Sequence, residues 1–167
     1  MATRPSTKRL PHSPKTRRIV AFLREIGISV TAGELPQSFL PGLAIEGGGL
    51  IVDESLLEYP GDLLHEAGHL AVAPPEARPA MSGSLDEVPG IDVATLEWAA
   101  IPWSYAAAIE IGIDPAVVFH DGGYHGHSAG LLSNFRLGVP VGLHLLVDAG
   151  MTAPDEYPAM RSWLRET

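Results

Sequence analysis

The stretch DLLHEAGHLAV, from Asp62 to Val72, limits what this chain can fold into more than any other segment. A Pro-Gly pair precedes it and a Pro-Pro pair follows it, and a helix cannot continue through the second pair. Its apolar residues predict a buried helix of about three turns, with Asp62 as its N-terminal cap. His65 and His69 lie four positions apart, so both imidazoles are expected on one face. Two buried imidazoles each need a polar partner, and a shared metal ion would satisfy both.

These histidines belong to the pattern H-E-x-x-H, formed by His65, Glu66 and His69. Two imidazoles on one helix face can bind a single zinc ion at about 2 Å. Glu66 lies about 100° around the helix from His65, where it can reach a water on the metal without being a ligand. Zinc lowers the pKa of such a water, and a carboxylate can then take its proton as a general base. The spacing therefore predicts a zinc site with a base beside it.

A hydrolytic zinc also needs a third protein ligand, and the sequence offers more than one candidate. Glu97 lies in a predicted helix from Asp92 to Ile111 that is apolar nearly all round. A lone carboxylate there is costly unless it is paired or bound to a metal, which favours Glu97. Glu110, near the far end of the same helix, is a weaker candidate. The rival ligands are three histidines in a glycine-rich loop: His120, His125 and His127.

The combination of H-E-x-x-H on one helix and glutamate on the next resembles the gluzincin arrangement of zincin metallopeptidases. Residues 42–111, with a GLIVDE strand before the motif and an alanine-rich helix after it, resemble compact single-domain zincins of the ImmA/IrrE type. The resemblance implies that His65, His69 and Glu97 are the metal ligands. It also implies that Glu66 is the general base.

A zinc hydrolase further needs a group that stabilises the developing oxyanion. Tyr105 lies eight residues after Glu97, two helical turns along, and is predicted to share its face. Ser104, one residue earlier, is a second candidate from the same helix. The glycine-rich loop offers Tyr124 and His120 as further candidates.

The remaining segments predict an α+β fold, mostly helical, built as a compact zincin-like domain with a small β-hairpin or sheet. A first helix is expected from near Thr16, and GLAIE and LIVD read as two short strands. Pro102 is expected to kink or split the alanine-rich helix. A short helix is predicted from Ser128 to Gly138, and a final amphipathic helix over residues 154–166.

Charge divides the chain into a basic tail at residues 1–15 and a single metal-binding domain at residues 16–167. Six of the eleven Lys and Arg lie in the first 18 residues, whereas the remainder carries a formal charge of −15. We expect the tail to be flexible because it is polar, proline-containing and without periodicity. The acidic body argues against nucleic acid as a partner.

Composition also bears on the compartment. The chain has no cysteine, no secretion signal and no apolar run of membrane-spanning length, which suits a cytoplasmic protein without a membrane partner.

The sequence thus supports a small cytoplasmic zinc-dependent hydrolase, a metallopeptidase acting on a peptide or protein. An alternative is a non-catalytic zincin-like binding or regulatory protein, in which an extra histidine completes a structural zinc site. A third reading is a helical domain without a metal. A water on the zinc distinguishes the first from the second, and zinc content separates both from the third.

Overall fold

The computed structural model describes residues 13–167. Within that range the chain forms five α-helices and a three-stranded sheet, so the predicted α+β class is confirmed. Most of the predicted basic tail lies outside the described residues. The first helix begins at Pro14, two residues before the expected start of order. The helices are α1 Pro14–Glu25, α2 Asp62–Val72, α3 Val93–Ile111, α4 Ser128–Arg136 and α5 Leu143–Asp148.

The sheet consists of β1 Val30–Ala32, β2 Leu43–Glu46 and β3 Gly49–Val52. Strands β2 and β3 form the predicted antiparallel hairpin, and β1 pairs with β3 in parallel, so β3 is the central strand. Gly47 and Gly48 make the turn between β2 and β3 with φ angles of 57° and 78°, a region that favours glycine. The sheet packs on α2 and leads the chain into it.

The core lies between α2, α3 and the sheet, and the two helices make the most extensive contact in the fold. Gly68 permits this contact: a Cβ atom placed on it would lie 3.1 Å from the Cβ of Ala100. Trp103 of α3 is fully buried in the same core. Alanine-rich α3 is therefore a central helix, as its nearly uniform apolar character predicts.

Pro102 lies inside α3, and the helix is not split there. Proline removes one hydrogen bond to the carbonyl four residues earlier, which belongs to Trp98. That carbonyl lies against Gly142, where a Cβ atom would come within 2.2 Å of its oxygen. Of the two predicted outcomes, a kink or a split, the split is wrong, because α3 is continuous from Val93 to Ile111. Neighbouring chain packs where the helical hydrogen bond is lost.

The predicted final helix is also wrong, since residues 150–167 form a series of turns. Their apolar side chains pack onto the core from an irregular backbone. The carbonyl of Trp163 accepts a hydrogen bond from the indole of Trp103 at 2.9 Å, and the amide of Arg165 donates to Ala71 at 2.8 Å. These contacts with α2 and α3 replace the bonds that a helix would have supplied.

Within residues 13–167, no helix combines the length and apolar character needed to cross a bilayer.

Candidate metal centre

Helices α2 and α3 bring three predicted ligands together. His65 and His69 share one face of α2, and their ring centroids lie 4.6 Å apart. Glu97 lies near the start of α3, opposite that face. Its Oε1 is 3.2 Å from His65 Nε2, and its Oε2 is 2.9 Å from His69 Nε2. One carboxylate therefore contacts the corresponding nitrogen of both imidazoles.

These contacts fit a site for a small divalent cation. A tetrahedral zinc with ligands near 2.0–2.1 Å has neighbouring ligand atoms about 3.3 Å apart, close to the two contacts of Glu97. His69 is buried, and neither of its ring nitrogens has a hydrogen-bond partner in the described residues, although Glu97 Oε2 lies 2.9 Å from Nε2. A buried nitrogen without a partner is costly, and a cation at that nitrogen would relieve the cost. Two imidazoles and a carboxylate are also ligand types that zinc accepts.

The protonation of this group reflects its mutual contacts. Burial alone would raise the pKa of the Glu97 carboxyl, but the imidazoles of His65 and His69 outweigh burial and hold that pKa well below its usual range. Burial alone would lower the pKa of His65, but the carboxylate of Glu97 outweighs it and the net pKa is raised. The site therefore favours an ionised carboxylate, which is the form a metal requires.

Glu66 belongs to the same cluster. Atoms of His65, Glu66 and His69 that could bind a metal all lie within 4.8 Å of one another. Two carboxylates therefore compete for the role of third ligand. We favour Glu97, because its two oxygens contact both Nε2 atoms directly. Glu66 lines the same cavity and is left free for a different role.

Tyr124 holds the other side of His65. Its hydroxyl lies 2.8 Å from His65 Nδ1, so it can accept the Nδ1–H and leave the Nε2 lone pair directed toward the site. Burial, followed by the nearby charge of Glu97, raises the pKa of the Tyr124 phenol, which therefore stays protonated at neutral pH. Tyr124 and His125 both have positive φ angles, of 53° and 52°, which are unusual for residues other than glycine. Such strain often marks functional loops, and here it accompanies a contact with a candidate ligand.

The structure does not bring Tyr105 to the cavity. Its ring stacks on Phe135 with centroids 4.4 Å apart, within an aromatic group that also includes Phe119 and Tyr157. Ser104 is fully buried, and its hydroxyl donates to the carbonyl of Ala100. Ser104 also interacts with the Tyr124 hydroxyl, but neither Ser104 nor Tyr105 lines the cavity. Of the four oxyanion candidates, Tyr124 and His120 line the cavity.

His120 pairs with Asp62, which was predicted to cap α2. Asp62 is the first residue of α2, and its side chain does not cap the helix. It lies 2.7 Å from His120 Nε2 instead, and the imidazole stacks on Tyr59 at a centroid distance of 3.8 Å. The predicted cap is therefore wrong. His120 Nδ1 is buried and has no hydrogen-bond partner in the described residues.

The site opens into a cavity of about 1100 Å³ between α2, α3, α4 and the glycine-rich loop. His125 and His127 are exposed residues on its wall, whereas Glu110 does not line it. All three rival histidines thus line the same cavity as His65, His69 and Glu97. Direct contacts with His65 and His69, however, are made by Glu97. A cavity of this size admits a segment of a larger substrate.

Comparisons with protein-family models, with curated protein sequences and with solved structures each found no match. The geometry is therefore the basis for assignment: an α+β chain with an H-E-x-x-H cluster on one helix, forming a candidate metal site whose ion is not identified.

Proposed function

We propose that this protein is a small zinc-dependent hydrolase that cleaves peptide bonds. The observation that carries the proposal is the meeting of His65, His69 and Glu97 at one wall of a large cavity, with Glu66 beside them. His65, His69 and Glu97 would hold the metal. When bound, zinc would supply a water of lowered pKa and a Lewis acid for the substrate carbonyl.

The residues around this site then have distinct roles. Glu66 takes a proton from the attacking water and delivers it to the leaving amine, as a carboxylate next to such a site can do. Tyr124 fixes the orientation and tautomer of His65 through its hydroxyl. The cavity orients the peptide along the site. We assign no catalytic role to Tyr105, because its ring lies in an aromatic cluster outside the cavity lining.

A second candidate is the non-catalytic protein with a structural zinc. The observation that favours it is His120, which lines the same cavity and has an Nδ1 atom without a partner among the described residues. If a loop histidine completed the coordination, no position would remain for water. Crystallography of the zinc-loaded protein counts the protein ligands: three ligands with a bound water support the hydrolase, and four protein ligands without a water support the structural site.

Metal content tests both candidates together. Protein purified without chelator should contain about one zinc per chain by elemental analysis. The double substitution His65→Ala and His69→Ala should abolish binding, and Glu97→Gln should weaken it strongly. His144→Ala is the matched control, since His144 is exposed and does not line the cavity. A zinc content near zero after reconstitution would contradict both candidates.

Glu66→Gln separates the enzyme from the binding protein. The amide is close in shape to the carboxylate but cannot accept the proton, so we expect zinc to be retained and the rate to fall by about 10²–10⁴-fold. A peptide-library cleavage screen with added zinc supplies the activity to be measured. Glu76→Gln, at an exposed position outside the cavity, is the control and should cleave at the wild-type rate. Equal cleavage by zinc-loaded Glu66→Gln would rule out this mechanism.

Peptides or proteins are the proposed substrates. The cytoplasm is the proposed compartment, since its reducing conditions disfavour disulfides and this chain has no cysteine. Nucleic acid remains an unfavourable partner because the net charge of the whole chain is −9.

A further inference from the structure

The residues that line the cavity include an apolar group and an acidic group. The apolar side chains come from three separate parts of the chain. Trp98 of α3 is half-exposed there, and Phe39, in the loop before β2, is fully exposed. Leu131 of α4, Ile101 of α3 and Leu40 line the same cavity. A surface of this kind gains most from covering a bulky apolar group.

The cavity lining also carries acidic groups. Asp62, Glu66 and Glu97 belong to it, and no Lys or Arg occurs among the described residues that do so. Asp62 pairs with His120 Nε2 at 2.7 Å. With a divalent cation bound and the imidazoles counted as neutral, the three carboxylates leave a formal charge of −1. Burial strengthens electrostatic interactions, so a substrate carboxylate beside these groups is repelled. Among the described residues, the lining also has no Lys or Arg that would hold the free carboxylate at the end of a chain.

Resting on the proposed function, we infer that the cavity takes an internal peptide segment with a bulky apolar side chain and with neutral or basic neighbours. The apolar side chain covers Trp98 and Leu131, and its neighbours lie over the carboxylates. Acidic segments and free C-terminal carboxylates are excluded. The protein therefore cleaves within chains and does not remove C-terminal residues.

A series of short synthetic peptides tests this specificity. The parent peptide is acetyl-Gly-Gly-Leu-Gly-Gly-amide, and single changes replace its leucine by alanine, or the glycine after leucine by lysine or glutamate. A fifth peptide ends in a free carboxylate one residue after leucine. We expect the leucine peptide to be cleaved about tenfold more efficiently than the alanine peptide. The lysine peptide should exceed the glutamate peptide by about tenfold or more, and the free-carboxylate peptide should resist cleavage.

Binding provides a readout that does not require turnover. Zinc-loaded Glu66→Gln should bind the same peptides in the same order, measured by calorimetry. Leu131→Ala should reduce the preference for leucine over alanine, because it removes part of the apolar lining. Leu131 lies on α4, so this change does not alter the helices that carry the proposed ligands. Trp98→Ala should have the same effect. Its zinc content must be measured as well, because Trp98 is adjacent to Glu97 and the change could disturb that ligand. Ile109→Ala removes an exposed apolar side chain of α3 outside the cavity and should leave the preference unchanged.

The outcomes separate this inference from the proposed function. If peptides are cleaved with equal efficiency for leucine and alanine, or for lysine and glutamate, the specificity is wrong and the hydrolase stands. If zinc-loaded wild type cleaves none of them but Glu66→Gln binds them in the expected order, the hydrolase is wrong and the ligand class stands. Efficient cleavage of the free-carboxylate peptide would overturn the assignment to internal segments.

Discussion

His65 uses both of its ring nitrogens, one toward Tyr124 and one toward Glu97. When the Tyr124 hydroxyl accepts the hydrogen bond, the first contact keeps the proton on Nδ1 and leaves Nε2 able to bind a metal. Partners of this kind commonly change metal affinity by 10- to 100-fold, although they never touch the ion.

Tyr124→Phe should therefore weaken zinc binding by about 10- to 100-fold, because it removes the hydroxyl and keeps the ring. The change should cost about 1 kcal/mol in free energy of unfolding of the metal-free protein, the value of one hydrogen bond. Competition with a chelating dye measures the affinity. Tyr105→Phe is the matched control and should bind zinc as wild type does. An unchanged affinity in Tyr124→Phe would show that its hydroxyl does not position His65.

Protonation of His65 and Glu97 predicts how the metal-free protein responds to pH. The raised pKa of His65 gives stability that is fully present below its ordinary value of 6.5 and is lost as pH rises through the folded-state value. The lowered pKa of Glu97 gives stability that is present above its ordinary value of 4.5 and is lost as pH falls through the folded-state value. Both contributions are therefore present between pH 4.5 and 6.5.

Urea unfolding of the chelator-treated protein should be measured across this pH range. The contribution of His65 and Glu97 to the free energy of unfolding should be largest between pH 4.5 and 6.5. Glu97→Gln removes the carboxylate, so the difference between wild type and variant should shrink above the window. Zinc-loaded protein should instead lose its metal as pH falls, since protons compete for the imidazoles. A difference that grows steadily with pH would contradict the assigned coupling.

For single residues, the sequence predicted the site where the chemistry depends on the spacing of residues along the chain. H-E-x-x-H and an isolated carboxylate among apolar neighbours were enough to select His65, His69 and Glu97, the residues that the structure brings into contact. Tyr105 was chosen by counting turns from Glu97, and its ring lies in the aromatic cluster instead. The position of Tyr124 depends on the path of a loop with unusual φ angles, which no periodicity describes. Its only signal was a tyrosine between glycines in a histidine-rich loop.

Among the elements, the α2–α3 pair determines the geometry of the site. Gly68 faces Ala100 across this contact, where a Cβ atom would be 3.1 Å from the nearest atom, tighter than ordinary van der Waals contact. Gly68 lies between Glu66 and His69, so a change in helix separation acts directly on the ligands.

Gly68→Ala should therefore move α2 away from α3 by a few tenths of an ångström and lower zinc affinity by about tenfold or more. The free energy of unfolding should change less, because alanine gains about 1 kcal/mol of helix propensity that offsets the crowding. Adding Ala100→Gly should restore space and recover much of the affinity. If Gly68→Ala binds zinc as tightly as wild type, the close helix contact does not control the site.

Helix and strand positions could be predicted where apolar periodicity and Gly or Pro punctuation agreed, as in α2, α3 and the β2–β3 hairpin. The prediction failed where long-range contacts replace local ones. Asp62 had the sequence position of a cap, but its carboxylate pairs with His120, which lies 58 residues away. Residues 154–166 had helical amphipathicity, but their backbone bonds to α2 and α3 instead.

In the whole molecule, this C-terminal segment joins elements that are distant in sequence. The ring of Trp163 packs edge-on against Phe22 of α1 with centroids 5.0 Å apart, and its carbonyl bonds to Trp103 of α3. Arg78 donates to the carbonyls of Leu70 and Arg165, and so joins the end of α2 to the end of the chain.

Deleting residues 163–167 should lower the free energy of unfolding by about 3–5 kcal/mol, as the loss of a large packed aromatic side chain does. Zinc stoichiometry at saturation should remain near one, because the segment contributes no ligand. Deleting only residues 166–167, which are exposed, is the control and should cost little. The urea midpoint measures both, and an unchanged midpoint in the longer deletion would show that the segment is not part of the folded core.

The close approach of Gly68 to Ala100 has a consequence for selectivity among metals. The separation of the ligand-bearing helices is limited by backbone packing, which yields much less readily than a long side chain. Calcium, with ligand distances of about 2.3–2.6 Å and six or more oxygens, would need the helices to part and further donors to enter. In the proposed site, discrimination by ionic radius would thus be a property of how two helices pack, decided at a residue that is not a ligand.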